Sequence, residues 1–146
     1  MTPTTSSAQA DSKHKPQSDD RWRKNRRHWE TVVDPANMSD SRRSVNFRRQ
    51  IELYRTADVR MAIRSFGGVR GKRVLDLGGG NGLASVLLIH RGARPVIVDI
   101  SLPRLLLARR QLFALGFGNS VDFVLASADR LPLADGSIDG VFAKST

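Results

Sequence analysis

Val74-Leu75-Asp76-Leu77-Gly78-Gly79-Gly80-Asn81-Gly82 decides how this chain folds. It reads as a short buried strand carrying one acid, followed at once by glycines at 78, 80 and 82. Such a run predicts a strand-to-helix turn in which a ligand can press against bare backbone, because glycine alone tolerates both the close approach and the positive φ angles. The helix that follows opens with free N–H groups that favour an acceptor or anion. A dinucleotide fingerprint, G-x-G-x-x-G, is excluded by the spacing. Counted from Gly78, its third glycine would fall on Leu83, so the pattern here is D-x-G-x-G-x-G starting at Asp76.

Working outward, Arg94-Pro95-Val96-Ile97-Val98 is a second strand, ending at Asp99, 23 positions after Asp76. A carboxylate at the end of a second strand suits the hydroxyls of a ribose. Ser101, with Pro103 close behind, is the better N-cap of the next helix, which leaves Asp99 for a ligand. Further strands are expected at 121–125 and 138–143, with helices near 82–91 and 102–116. Gly116 is read as the C-cap of the second helix. Strand–helix alternation predicts an α/β, Rossmann-like parallel sheet with flanking helices. The strands are unbroken Val, Ile and Leu runs, as expected when both faces are covered. Leu102, Leu105, Leu106, Leu112 and Leu115 form the expected apolar face of the second helix. Right-handed crossovers then put the ligand crevice at the carboxyl ends of the strands, where Asp76, Gly78, Gly80, Asp99 and Asp129 all fall.

The turn beginning at Asp76 resembles motif I of the class I S-adenosylmethionine-dependent methyltransferases. That resemblance implies a glycine turn wrapped around the methionine part of the cofactor. Val98-Asp99-Ile100-Ser101 is similar to the family's second-strand motif, which implies that Asp99 holds the ribose and Ile100 packs on adenine. Ala126-Ser127-Ala128-Asp129-Arg130-Leu131-Pro132-Leu133 is similar to the adenine-binding loop, with Asp129 accepting from the exocyclic amine beside the backbone at Ala128. The run from Leu131 to Asp139 matches a pattern common in the branch that methylates small molecules and lipid quinones. The implied cofactor site is thus Asp76, Gly78, Gly80, Gly82, Asp99, Ile100, Ala128 and Asp129, with S-adenosyl-L-methionine as cofactor, a small-molecule methyl acceptor and no metal. No catalytic residue is identified; methyl transfer from a sulfonium requires mainly positioning and exclusion of water. The family's core has seven strands in the order 3-2-1-4-5-7-6, and the resemblance covers the first four. A sheet truncated after its fourth strand is therefore expected, with an apolar edge that invites association with another chain.

Composition sets the remaining bounds. A length of 146 residues fits one domain, and the absence of cysteine excludes a disulfide framework and a thiol nucleophile. His14, His28 and His90 are far apart and lack metal-ligand spacing. The sequence holds neither a membrane-spanning apolar run nor a signal-peptide apolar region, so a cytoplasmic location is expected. Three segments are read: a polar tail at 1–20 expected to be disordered, a basic helical extension at 21–70, and the partial Rossmann-like domain at 71–146. In the extension, Trp22, Trp29 and Val33 share one helical face and Pro35 ends that helix. A second helix is expected from about Ser41 to Phe66, with Phe47, Ile51, Tyr54 and Met61 as its apolar stripe and Gly67-Gly68 closing it. The family resemblance makes Tyr54 and Arg55 candidates for a lid.

Charge is uneven. Of the net +10, residues 1–72 carry +8, from 16 Lys and Arg against 8 acids. A basic arm with interleaved tryptophans suits nucleic acid or an anionic membrane surface, and equally a solvated helical cap. Two readings of function stand: a methyltransferase whose cofactor half is present, and a catalytically silent cofactor-binding or interaction module. A nucleic-acid methyltransferase is a third, carried only by the basic arm.

Overall fold

A computed structural model describes residues 23, 27, 47–51 and 57–144. The expected tail at 1–20, the helix face of Trp22, Trp29 and Val33, and the lid candidates Tyr54 and Arg55 lie outside the described residues. In chain order the elements are helix α1 (Ala57–Ser65), strand β1 (Arg73–Leu77), helix α2 (Leu83–His90), strand β2 (Arg94–Asp99), helix α3 (Leu102–Ala114), a 3-10 turn (Gly118–Ser120), strand β3 (Asp122–Leu125) and strand β4 (Gly140–Ala143). Residues 47–51 are also helical.

The four strands form one sheet in the order β3-β2-β1-β4. Every pairing is parallel, with Asp76 opposite Ile97 on one side and Phe142 on the other, and Ile97 opposite Phe123. These residues share one sheet face, and α2 and α3 cover it. Val74, Ile97 and Phe142 pack there with Val86 and Leu88 of α2 and with Leu105, Ala108 and Leu112 of α3. Five consecutive residues of α2, Ala84 to Leu88, are buried. That helix is apolar all round because Phe47, Ile51 and Ile63 join the same core. On the opposite face, Leu75, Val96 and Val98 are covered by Leu131, Leu133 and Ile138. Both faces of β1 and β2 are thus covered, as their Val, Ile and Leu residues require, with Asp76 the acid that interrupts β1. β4 is less sheltered: Val141 is 52% exposed.

Helix α3 ends as its sequence directs. Gly116 takes φ 81°, its N–H bonds the carbonyl of Phe113, and the N–H of Phe117 bonds that of Leu112. This is the Schellman arrangement, and it satisfies carbonyls that would otherwise be orphaned.

Two expected faces need correction. On α3, Leu102 and Leu106 are 47% and 54% exposed, and the buried positions are Leu105, Ala108 and Leu112. Leu105, Ala108 and Leu112, three and four residues apart, form the buried stripe; Leu102 is the first residue of the helix, at the end of that stripe, and Leu106 is turned about 100° from Leu105. In the N-terminal region Phe47 and Ile51 are buried as expected, whereas Met61 is 65% exposed and Ile63 enters the core. Phe47 and Ile63 are 16 residues apart, about 160° around a straight helix at 3.6 residues per turn. One stripe at constant period does not bury both.

Candidate functional site

The turn after β1 has the conformation its glycines demand. Gly78, Gly80 and Gly82 all have positive φ, at 67°, 53° and 81°. The N–H groups of Gly78 and Gly79 bond the carbonyl of Val98 on β2, and Gly82 N–H bonds the carbonyl of Gly79. The glycines nevertheless do different work. A methyl on Gly82 would meet Leu112 Cδ1 at 2.5 Å; this glycine lets α3 pack on the start of α2 and is buried away from the turn's open side. A methyl on Gly79 would meet the Asp76 carboxyl carbon at 2.7 Å. Gly79, which the alternating pattern does not single out, is what allows the turn to close over that carboxylate. A methyl on Gly80 would run into the guanidinium of Arg104, with Cζ 2.7 Å away.

Asp76 lies on the helix-covered face and is buried. Ser85, also buried, donates from its hydroxyl to Asp76 Oδ2 at 2.6 Å. Burial pushes the Asp76 carboxyl up to about 6, the Ser85 hydroxyl and backbone N–H oppose that shift, and the charge of Asp99 adds to it. Ser85→Ala is expected to cost about 1–3 kcal/mol near neutral pH, because the buried carboxylate loses its closest donor. In urea denaturation the loss should shrink near pH 4, where Asp76 is protonated.

Asp99 ends β2 on the same face, two residues beyond Ile97, the partner of Asp76. Its Oδ2 accepts from Gly80 N–H at 3.0 Å, and its Oδ1 accepts from Ser101 N–H at 2.9 Å. Asp99, read from sequence as available to a ligand, also braces the glycine turn and the entry to α3. Ser101 occupies the N-cap position without a side-chain cap bond. Its buried hydroxyl lacks a hydrogen-bond partner among the described residues.

A cavity of about 230 Å³ opens at the carboxyl ends of β1 and β4, lined by Asp76, Gly78, Gly79, Asn81, Leu83, Ala84, Arg104, Phe142 and Lys144. Strand order reverses between β1 and β4, and such a switch point is where open parallel sheets bind ligands. Asn81 at the rim donates to Gln50 Oε1 at 3.2 Å, which sets the helical residues 47–51 beside the turn. Of the expected site residues, Asp76 and Gly78 line the cavity, Gly80 and Asp99 adjoin it through Arg104, and Gly82 serves packing. Ile100 is half-buried, while Ala128 and Asp129 lie exposed beyond β3; these three are not among the lining residues. Sequence reasoning missed Gly79, Asn81, Ser85 and Arg104. Ser85 and Arg104 carried no local signal, because the one meets Asp76 across the strand-to-helix turn and the other comes from the next helix.

A sequence profile described as a methyltransferase domain matches residues 74–146. That is half of the chain, and the chain belongs to the methyltransferase domain family. Over 78 residues it is 38% identical to the ubiquinone/menaquinone biosynthesis C-methyltransferase UbiE of Hahella chejuensis, covering 51% of this chain and 31% of that protein. Over 82 residues it is 34% identical to a demethylmenaquinone methyltransferase of Renibacterium salmoninarum, covering 56% and 32%. The chain spans about a third of the length of the curated relatives it matches. Among solved structures, the geranyl diphosphate C-methyltransferase of Streptomyces coelicolor aligns with TM-score 0.64 at 15% identity, over 84% of this chain and 52% of that one; this is a likeness of fold. An S-adenosylmethionine-dependent methyltransferase of Thiobacillus denitrificans, solved with S-adenosyl-L-homocysteine, aligns with TM-score 0.52 at 25% identity, over 62% and 37%. The resemblance to the class I S-adenosylmethionine-dependent methyltransferases, in their small-molecule branch, holds. Among the described residues no helix is long and apolar enough to cross a membrane.

Proposed function

We propose that this chain is the cofactor-binding part of an S-adenosylmethionine-dependent methyltransferase that acts on a small-molecule acceptor of the quinone type. One observation carries the reading. A glycine turn with three positive φ angles closes over a buried acid, beside a second buried acid, at the switch point of a parallel sheet. The residues fit the cofactor chemically. The bare backbone of Gly78 to Gly80 is a cradle that a side chain would fill. Asp76 at its base suits the cationic amino group of the methionine part, and Asp99 suits the ribose hydroxyls. Ile100, Ala128 and Asp129 are assigned to the adenine side by family resemblance, and the division into a basic extension at 21–70 and a domain from 71 onward is retained on the same footing.

The cofactor supplies a methyl group on a sulfonium, which leaves a neutral thioether. What the chain's own residues contribute is placement and dryness: Leu83, Ala84 and Phe142 give the cavity apolar walls, and the turn fixes the ligand against β1. The acceptor class rests on the quinone enzymes among the relatives. A nucleic-acid acceptor would draw on the basic arm, of which Arg23 and Arg27 are exposed; no relative reported above supports it.

Calorimetric titration with S-adenosyl-L-homocysteine tests the reading. Saturable binding is expected, and Asp99→Ala should weaken it by about 1–3 kcal/mol, roughly 5- to 150-fold, through loss of charge-assisted bonds. Asp99→Asn, which keeps one acceptor for the Gly80 or Ser101 N–H, controls for collapse of the turn. A folded chain that fails to bind would sink the assignment.

A further inference from the structure

Arg104 lies over the glycine turn and beside Asp99. It is the third residue of α3, in a first turn that contains no acid. A cation there opposes the helix dipole, which favours negative charge at the N-terminus. It is not a solvated surface arginine either, since its side chain is only 23% exposed. Its guanidinium lies against Gly80, at the point where a side chain on that glycine would project. Its Nε is 4.0 Å from Asp99 Oδ2, the oxygen that also accepts from Gly80 N–H. Thus one side chain covers both the bare backbone of the turn and the buried acid at the end of β2. It also lines the cavity, whose volume of about 230 Å³ falls below the ~300–1,000 Å³ usual for small-molecule sites.

We infer that Arg104 is a latch: its guanidinium holds the place of the cofactor's nucleoside over Gly80 and Asp99, and it must swing aside for the cofactor to bind. This rests on reading the glycine turn as an S-adenosylmethionine site. The physical basis is compensation. Asp99 is buried, and a buried carboxylate is costly unless paired and hydrogen-bonded. Two backbone N–H groups partly satisfy it, and Arg104 supplies the opposite charge. A ribose would replace that charge with two hydroxyl donors and reclaim the space over Gly80. The latch then subtracts from affinity by the fraction of molecules in which it is closed. It belongs with the binding machinery as a positioning residue, since it acts by yielding Asp99 and Gly80 to the ligand.

The test uses the full chain and S-adenosyl-L-homocysteine, followed by titration calorimetry and by stopped-flow association. If the site is closed in about nine molecules of ten, Arg104→Ala should bind about 10-fold tighter. The gain should appear in the association rate, with dissociation unchanged. A purely structural role would not produce a faster association. Arg104→Met keeps the bulk of the stem and removes the charge; should Arg104→Ala fail to fold by its melting curve, the same gain is required of Arg104→Met. Equal or weaker binding by a folded variant, with wild type binding normally, overturns the latch and makes Arg104 a direct ligand contact or a structural residue. Absence of binding by wild type and both variants overturns the cofactor reading, and the latch with it.

Discussion

Gly82→Ala is expected to lower the unfolding free energy by about 2–5 kcal/mol, whereas Gly116→Ala should cost only about 1–2 kcal/mol. The comparison is informative because both glycines have φ of +81°. Each substitution forces an L-residue into the left-handed region, at roughly 1–2 kcal/mol. The two sites differ in what a methyl meets: nothing within 4 Å at Gly116, but Leu112 Cδ1 at 2.5 Å, then Ala108 and Ile97, at Gly82. Leu112 is fully buried, so its methyl cannot simply turn into solvent, and overpacking adds about 1–3 kcal/mol. Urea denaturation of both variants separates the backbone cost from the packing cost. Equal losses would mean that α3 moves away without resistance, and that the third glycine of the turn is there for its φ alone. The larger expected loss assigns Gly82 to joining α2, α3 and the sheet.

The same distinction marks how much of this molecule was legible in its sequence. The strands were plain because each is a short apolar run bounded by turn residues. The expected strand opening at Val74 is observed as Arg73–Leu77, and the second runs from Arg94 to Asp99 as expected. The fourth strand begins at Gly140 and not at 138, because Ile138 packs on the second face of the sheet from the preceding loop. Helix faces were less legible. A leucine contributes equally to an apolar pattern whether or not a partner lies opposite it, so Leu102 and Leu106 were indistinguishable from Leu105 and Leu112. At the site, the spacing of the glycines identified the turn. It did not separate Gly80, which faces Arg104, from Gly82, which faces Leu112. That separation depends on how α3 crosses the turn, a long-range fact with no local signal. Arg104 was unreadable for the same reason: in sequence it is one of several arginines on a helix, and only the folded chain brings its guanidinium to Gly80 and Asp99.

Asp76→Asn is expected to change the pH dependence of stability by about 3 kcal/mol, and the sign follows from burial. In the unfolded chain Asp76 titrates near its ordinary 3.8; in the folded chain it titrates near 6. Between those values the folded state holds a proton that the unfolded state has released. Its contribution to stability is therefore complete below about 3.8, falls as pH rises through the interval, and is gone above about 6. The interval corresponds to about 3 kcal/mol. Asparagine does not titrate, and its carbonyl oxygen can still accept from the Ser85 hydroxyl. Relative to wild type, Asp76→Asn should thus gain stability steadily from about pH 4 to about pH 7, and urea denaturation at both ends of that range measures the gain. A constant difference across the range would show that Asp76 is ionised throughout and held by more donors than Ser85 provides. Keeping an acid at this cost makes sense if something cationic is to be met there. If Asp76 receives the amino group of the methionine part, wild-type affinity for S-adenosyl-L-homocysteine should rise as pH increases through about 6. The same Asp76→Asn change that stabilises the folded chain near neutral pH should then weaken binding and remove this pH dependence. Stability and affinity moving in opposite directions on one substitution would mark Asp76 as a binding residue that the fold tolerates, since a residue kept for stability alone would move both together.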